Sequence, residues 1–301
     1  MSISAEELTQ STGGRALKER IIVWVFGIST VAIVLPVLAI LYFLVTLGFK
    51  AINWTFLTQM PTDGMTAGGI MPAIVGTFYL VAGTVVIAMP LGVLAAVYLS
   101  EYAGNGWFVR VVRLSLSNLA GVPSVVYGLF GLGLFVYYFK FGVSILSGSC
   151  TLALLVLPLV ITAAEESMRR VPMSLREASL AVGATKWQTV RNVVLPNSWA
   201  GILTGVILAI GRAAGETAPI LFTAAVYYYP VVPKPSGWRF WEFLYQPVMA
   251  LPYHLYTMST QAIDADPKLQ WGTALVLIVM VLSMSGVAIA VRARLRAKQQ
   301  W

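Results

Sequence analysis

The sequence is poor in the residues that build metal centres and disulfides. Its one Cys, Cys150, has no partner for an internal disulfide and excludes a Cys-based metal site. Its one His, His254, excludes a multi-histidine centre. Charge is also scarce: Asp, Glu, Lys and Arg are 11% of 301 residues, against about 25% in soluble domains. Hydrophobic residues make up 58%. That balance excludes a disordered chain and speaks against an ordinary soluble enzyme. There is no internal repeat, no low-complexity tract and no G-x-x-x-x-G-K-[ST] phosphate loop. The nearest run, Gly128-Leu129-Phe130-Gly131-Leu132-Gly133, is apolar and suits helix packing.

What is present is a set of long uncharged runs. Each is about 20 residues or more, enough to cross a ~30 Å hydrocarbon core as a helix. Six spans are readable: 21–49, 70–99, 114–139 (Gly-rich and broken by Pro123), 146–164, 198–226 and 272–291. The first is roughly twice the ~7–15-residue core of a signal peptide, so it reads as an uncleaved span. Residues 1–20 form a polar N-terminal segment, 21–295 one continuous membrane domain and 296–301 a tail.

Six spans put both termini on one side. Of the 20 Lys and Arg, fourteen fall on that side, five fall opposite, and Arg212 lies inside a span. The bias places both termini in the cytoplasm. It also accounts for the net charge of +8 without nucleic acid. The expected fold is an all-α, multi-pass membrane protein of six helices.

The polar loop 172–196 carries the most information. Ser174 with Glu177, and Thr185 with Gln188, each fit a capping box at a helix start. Gly183 suits the residue just past a helix end, and Pro196 is expected to stop the second helix. Leu175, Ala178 and Val182 share one face of the first helix; Trp187, Val190 and Val194 share one face of the second. Helices this short are marginal alone, so they must dock. A solvated loop, a DNA-binding helix-turn-helix and a socket for a cytoplasmic partner are the alternatives.

The string Glu177-Ala178-Ser179, then Gly183, nine residues, then Val193-Val194-Leu195-Pro196 resembles the EAA loop of ABC importer permeases. Ser179 and Val193 are mild departures. In that family the loop inserts a coupling helix into a groove on an ATPase subunit. The resemblance carries this role onto Glu177, Ala178 and Gly183, flanked by Leu175 and Arg176. It also implies the type I, MetI-like permease architecture.

Span five contains Arg212 and Glu216, four apart and so on one helix face. An Arg at mid-membrane on a lipid-facing helix costs at least ~2.5–3.5 kcal/mol. The pair should therefore face the bundle interior. Either it is a structural ion pair, or Arg212 meets an oxyanion through its planar donor fork while Glu216 keeps the empty site neutral. Gly201, Gly205, Gly211 and Gly215 allow close helix approach, and Pro219 should kink the helix near Gly215.

The string Gly211-Arg212-Ala213-Ala214-Gly215-Glu216-Thr217-Ala218-Pro219, with Leu221-Phe222-Thr223-Ala224 after it, resembles the fifth-span signature of phosphate-specific ABC importer permeases. The likeness is to the PstA type rather than its sister PstC. It implies that Arg212 and Glu216, with Thr217 beside them, serve phosphate passage. It implies three partners besides the lipid bilayer of the plasma (inner) membrane: a second, PstC-like permease, a PstB-like ATPase dimer and an extracytoplasmic PstS-like binding protein. ATP and magnesium would sit on the ATPase, with no cofactor on this chain and no catalysis by it. Sulfate or molybdate import, a secondary transporter acting alone, and an integral membrane enzyme are the competing readings.

Other features are weaker. Gly121-Val122-Pro123-Ser124 interrupts span three, either as a packing kink or with Ser124 lining the pathway; Ser115, Ser117 and Asn118 could also offer donors. Glu165 and Glu166 pair at i,i+4 with Arg169 and Arg170. Residues 227–271 form an outer loop whose Tyr and Trp rings fit a membrane interface or a docking face. His254 reads there as an interfacial side chain, and Asp264 and Asp266 as a loose turn.

Overall fold

The computed structural model describes residues 5–62, 67–104, 106–229, 231–233, 241–261 and 266–297. Trp238, Lys234, Arg239, Asp264 and Lys298 lie outside the described residues. The described chain is mostly helical.

Helix α1 runs over Ala5–Gly48 and continues through much of the segment read as a polar N-terminal stretch. A short helix α2, Trp54–Thr58, is capped by the Asn53 side chain, which accepts from Phe56 N at 2.7 Å. Two-residue strands β1, Pro61–Thr62, and β2, Ala67–Gly68, pair antiparallel. Helix α3, Met71–Val97, follows and ends in a π-helical turn, Tyr98–Tyr102.

The third span differs from its sequence reading. Helix α4, Trp107–Ala120, and helix α5, Ser124–Gly131, which continues as a π-turn to Tyr138, meet at 104°. This is a corner, far beyond a packing kink. Pro123 is itself the extended residue (φ −56°, ψ 138°) that precedes α5, and the Tyr127 hydroxyl donates to Leu119 O at 2.8 Å across the bend.

Helix α6, Ile145–Arg169, opens on a Ser144 cap and is the most buried of the long helices. The polar loop holds α7, Met173–Ala181, and α8, Lys186–Thr189. A π-turn, Val190–Val194, then leads without a stop into α9, Leu195–Gly215. Pro196 therefore does not stop the helix. The chain stays helical from Lys186 to Gly215, and the π-turn just before Pro196 widens the ladder next to a residue that has no N–H to give.

Span five is likewise two helices. Helix α9 ends at Gly215, Glu216 is extended (φ −78°, ψ 128°), and α10 covers Ala218–Thr223. Helix α11, Leu251–Thr260, and helix α12, Pro267–Ala297, complete the chain. The Asp266 carboxylate accepts from Lys268 N at 2.9 Å, so it caps α12 rather than closing a loose turn.

Five described helices are long and apolar enough to span a membrane, or six if α4 and α5 count as one broken span. Helices α3, α6 and α9 pack together as the centre. Val81 on α3 meets Val206, Ile210 and Ala214 on α9, while Ala88 meets Val156 and Val160 on α6. Helices α1 and α12 pair at the periphery, where Gly48 sits against the Trp271 carbonyl, and expose most of their apolar surface. The outer segment folds back into the bundle. Ala225 bridges Val248, and Ser144 N donates to Thr223 O at 2.9 Å. His254 is only 3% exposed, so it is buried rather than interfacial.

Candidate functional site

Arg212 lies in the last turn of α9 and Glu216 just past its end. The break at 216–217 does not separate them: Arg212 Nε meets Glu216 Oε1 at 3.4 Å, with side chains 33% and 19% exposed. The sequence places them on one helix face, but the structure pairs them across a helix end. The extended backbone at Glu216 turns its carboxylate back toward the guanidinium.

The break is braced by α5. A Cβ on Gly128 would stand 2.9 Å from the Ala218 carbonyl oxygen and 3.0 Å from Pro219 Cα, so glycine is what lets α5 lie this close to α10. Ser124 and Thr217 are half-buried at the starts of α5 and α10. Neither hydrogen-bonds to the Arg212–Glu216 pair among the described residues. Ser115, Ser117 and Asn118 are exposed on α4. Ser117 joins Arg110 and Arg113 around a cavity of about 450 Å³.

The glycine row of α9 divides in two. Gly201 and Gly205 press on α6, where added Cβ atoms would meet Ser167 Oγ at 2.0 Å and Ala163 Cβ at 2.6 Å. Gly211 and Gly215 have nothing within 4 Å and provide no close approach.

The loop 172–196 forms the second region. Gly183 has φ +84°, its N–H bonds to Leu180 O at 3.0 Å, and Ala184 N bonds to Ser179 O at 3.3 Å. This is the double closure of a Schellman end, which needs a left-handed residue. The Thr185–Gln188 capping box is present. The Ser174–Glu177 box is not, because α7 starts at Met173 behind Pro172, which leaves Ser174 inside the first turn. Ser179, where the motif has Ala, shares a 2.9 Å hydrogen bond with the Thr189 hydroxyl and ties α7 to α8.

The five coupling residues split by face. Glu177, Ala178 and Gly183 are exposed. Leu175 packs inward on Val171, Val190 and Val194. Arg176 also points inward, onto Glu101 at 3.0 Å. The inferred common face of Leu175, Ala178 and Val182 does not exist, since Val182 is 84% exposed beyond the helix end. Met173, Val182 and Trp187 stand out as exposed apolar residues.

Sequence reasoning missed Glu101. Its signal is position: it is the first charge after the uncharged run of α3, at the end that meets the arginine-rich loop. The Glu165–Arg169 pair forms at 2.8 Å, and Glu165 also takes Arg113 of α4 at 3.0 Å. Among the described residues no group of His, Cys, Asp and Glu could hold a metal.

Residues 88–234 match the family of the binding-protein-dependent transport system inner membrane component. The phosphate transport system permease protein PstA 1 of Mycobacterium tuberculosis is 34% identical over 92% of this chain and 90% of its own length. A probable phosphate transport system permease protein PstA of Methanocaldococcus jannaschii is 33% identical over 90% and 92%. The probable ABC transporter permease YqgI of Bacillus subtilis is 31% identical over 89% and 92%. In fold, the chain is similar to the bacterial alginate ABC transporter (TM-score 0.60, 13% identity, 94% of both chains). It is also similar to the inward-facing MetNI methionine ABC transporter (TM-score 0.55, 17% identity, 75% of this chain and 94% of that one). The chain therefore belongs to the multi-pass permeases of binding-protein-dependent ABC transporters and groups there with the PstA permeases.

Proposed function

We propose that this chain is a permease subunit of an ATP-driven inorganic phosphate importer. The observation that carries the reading is the Arg212–Glu216 pair, seated where span five breaks and still one-third exposed at the guanidinium. A fork with free donors beside a carboxylate can take an oxyanion without leaving a bare charge when empty. The PstA relatives supply the substrate class.

On this reading both termini are cytoplasmic. The exposed face of α7, with Glu177 and Ala178, meets an ATPase dimer that holds ATP and magnesium and performs the hydrolysis. The chain itself makes no covalent bond and binds no cofactor. A second, PstC-like permease completes the pathway, and an extracytoplasmic PstS-like protein delivers phosphate. Closure of the ATPases moves the loop 172–196 and shifts the bundle between states that expose Arg212 to opposite sides. Thr217 and Ser124 line the route without hydrogen-bonding to the pair.

The test is ATP-dependent uptake of radiolabelled phosphate by vesicles holding the full complex. Arg212→Gln is expected to assemble normally and lose uptake. Glu177→Lys is expected to lose the co-purifying ATPase. Retained uptake in Arg212→Gln would make the pair structural and remove the substrate argument.

A further inference from the structure

The loop-side end of α3 finishes in the π-turn Tyr98–Tyr102; such widened turns are frequent at functional positions. Three residues of this turn are held from outside it: Leu99 O accepts from Arg113 Nη2 of α4 at 3.1 Å, while Glu101 and Tyr102 are held from the loop 172–196. The Arg176 fork takes Glu101 with two arms, Nη2 to Oε1 at 3.0 Å and Nε to Oε2 at 3.4 Å. The two side chains are 13% and 9% exposed. The same guanidinium donates to Met168 O at 2.8 Å and to Val171 O, where α6 ends. The Ser100 hydroxyl donates to Glu101 Oε1 at 2.9 Å. From α8, the Lys186 ammonium sits 5.0 Å over the Tyr102 ring.

A single contact would let the loop pivot on the bundle. A two-armed fork fixes orientation as well as distance. Burial removes water as a substitute partner, so the pair cannot be parted without stranding a charge. On the same short helix, Glu177 and Ala178 face outward. A push on that outer face passes through Arg176 into Glu101. Helix α3 then carries it to Val81, which packs on Val206, Ile210 and Ala214, in the stretch of α9 that leads to Arg212 and Glu216.

We propose that Arg176 and Glu101 are positioning residues that strap the loop to α3, so that loop motion reaches the helices around Arg212, with Lys186 on Tyr102 as a lesser second strap. The proposal rests on the reading of the chain as an ATPase-driven permease.

The test uses the whole complex in proteoliposomes, with phosphate uptake and ATP hydrolysis measured together. Glu101→Gln keeps the side chain's shape and removes its charge. It is expected to retain the ATPase and hydrolyse ATP within about twofold of wild type, while phosphate moved per ATP falls about tenfold, a usual size for coupling between sites. Glu101→Asp keeps the charge and should retain most of that ratio; Lys186→Gln should lower it about twofold, as an exposed cation–π contact is weak. An assembled Glu101→Gln complex with an unchanged ratio overturns the strap. So does loss of uptake in strict proportion to loss of assembled complex.

A second readout needs no transported substrate. Spin labels at Val182→Cys and Tyr98→Cys, with Cys150→Ser, should keep a constant spacing through an ATP–vanadate cycle when Glu101 is present and spread in Glu101→Gln. A spacing that changes equally in both also overturns the strap. If wild type imports no phosphate but the labels behave as expected, the substrate reading fails and the strap stands.

Discussion

His254 shows how far one side chain can depart from its sequence context. It sits among aromatic residues that read as a membrane-interface belt, yet it is 3% exposed on α11. Burial pushes its imidazole down to about 4 from 6.5. Between those values the unfolded chain binds a proton that the folded chain refuses. The contribution is therefore present above pH 6.5 and is lost as pH falls toward 4. At 1.36 kcal/mol per pKa unit that is about 3 kcal/mol. Wild-type protein in detergent should melt markedly lower at pH 4.5 than at pH 7.5, and His254→Gln should narrow that gap. Gly183 is the second residue of this kind. Its φ of +84° lies in open space, so only backbone strain opposes a side chain. Gly183→Ala should cost about 1–2 kcal/mol, seen as faster proteolysis within 172–196, and Gly183→Asn should cost less. The need for this glycine was legible from spacing alone, because a left-handed helix end is a local requirement. The burial of His254 was not, because it depends on a segment returning to the bundle through Ala225 and Val248.

Elements behave the same way. The apolar runs were readable because a helix in lipid must satisfy its own backbone. Where they break was not. Pro123 and Pro219 marked the right neighbourhoods, but the corner of 104°, the extended Glu216 and the close approach of α5 to α10 at Gly128 appear only in the folded chain. The α9–α6 seam offers a direct test. Gly205→Val should overpack against Ala163 and destabilise by about 1–3 kcal/mol, measured by thermal unfolding. Gly211→Ala meets open space and should be neutral or slightly stabilising, since Ala is the better helix former. Equal losses from the two variants would contradict the packing described.

For the whole molecule, the long helices sort by burial. Helices α6, α9 and α3 carry the core, with α9 closing on α6 through Gly201 and Gly205, and α1 and α12 pack on the outside. Arg292 of α12 donates to Thr204 of α9 at 3.1 Å, one polar tie from that outer layer. The loop 172–196 sits at one end of this core, and the Arg212–Glu216 pair sits at the far end of α9. Coupling between them must therefore cross the bundle, and uptake measured with Arg212→Gln beside Glu177→Lys separates its two ends.

The sequence by itself determined the membrane class, the apolar runs, the two-helix loop with its glycine corner, the Thr185–Gln188 cap and the closeness of Arg212 to Glu216. Each depends on residues within a few positions of one another, where backbone sterics and hydrophobicity act directly. Only the tertiary structure decided that Arg176 turns inward to Glu101, that Ser179 bonds to Thr189, and that Glu165 serves Arg113 as well as Arg169. It also decided that span five breaks at Glu216 and that His254 is enclosed. These depend on which helices meet, and that is set by packing between segments far apart in the chain: Arg176 and Glu101 are 75 positions apart, and Leu251 N reaches the Thr77 hydroxyl across 174.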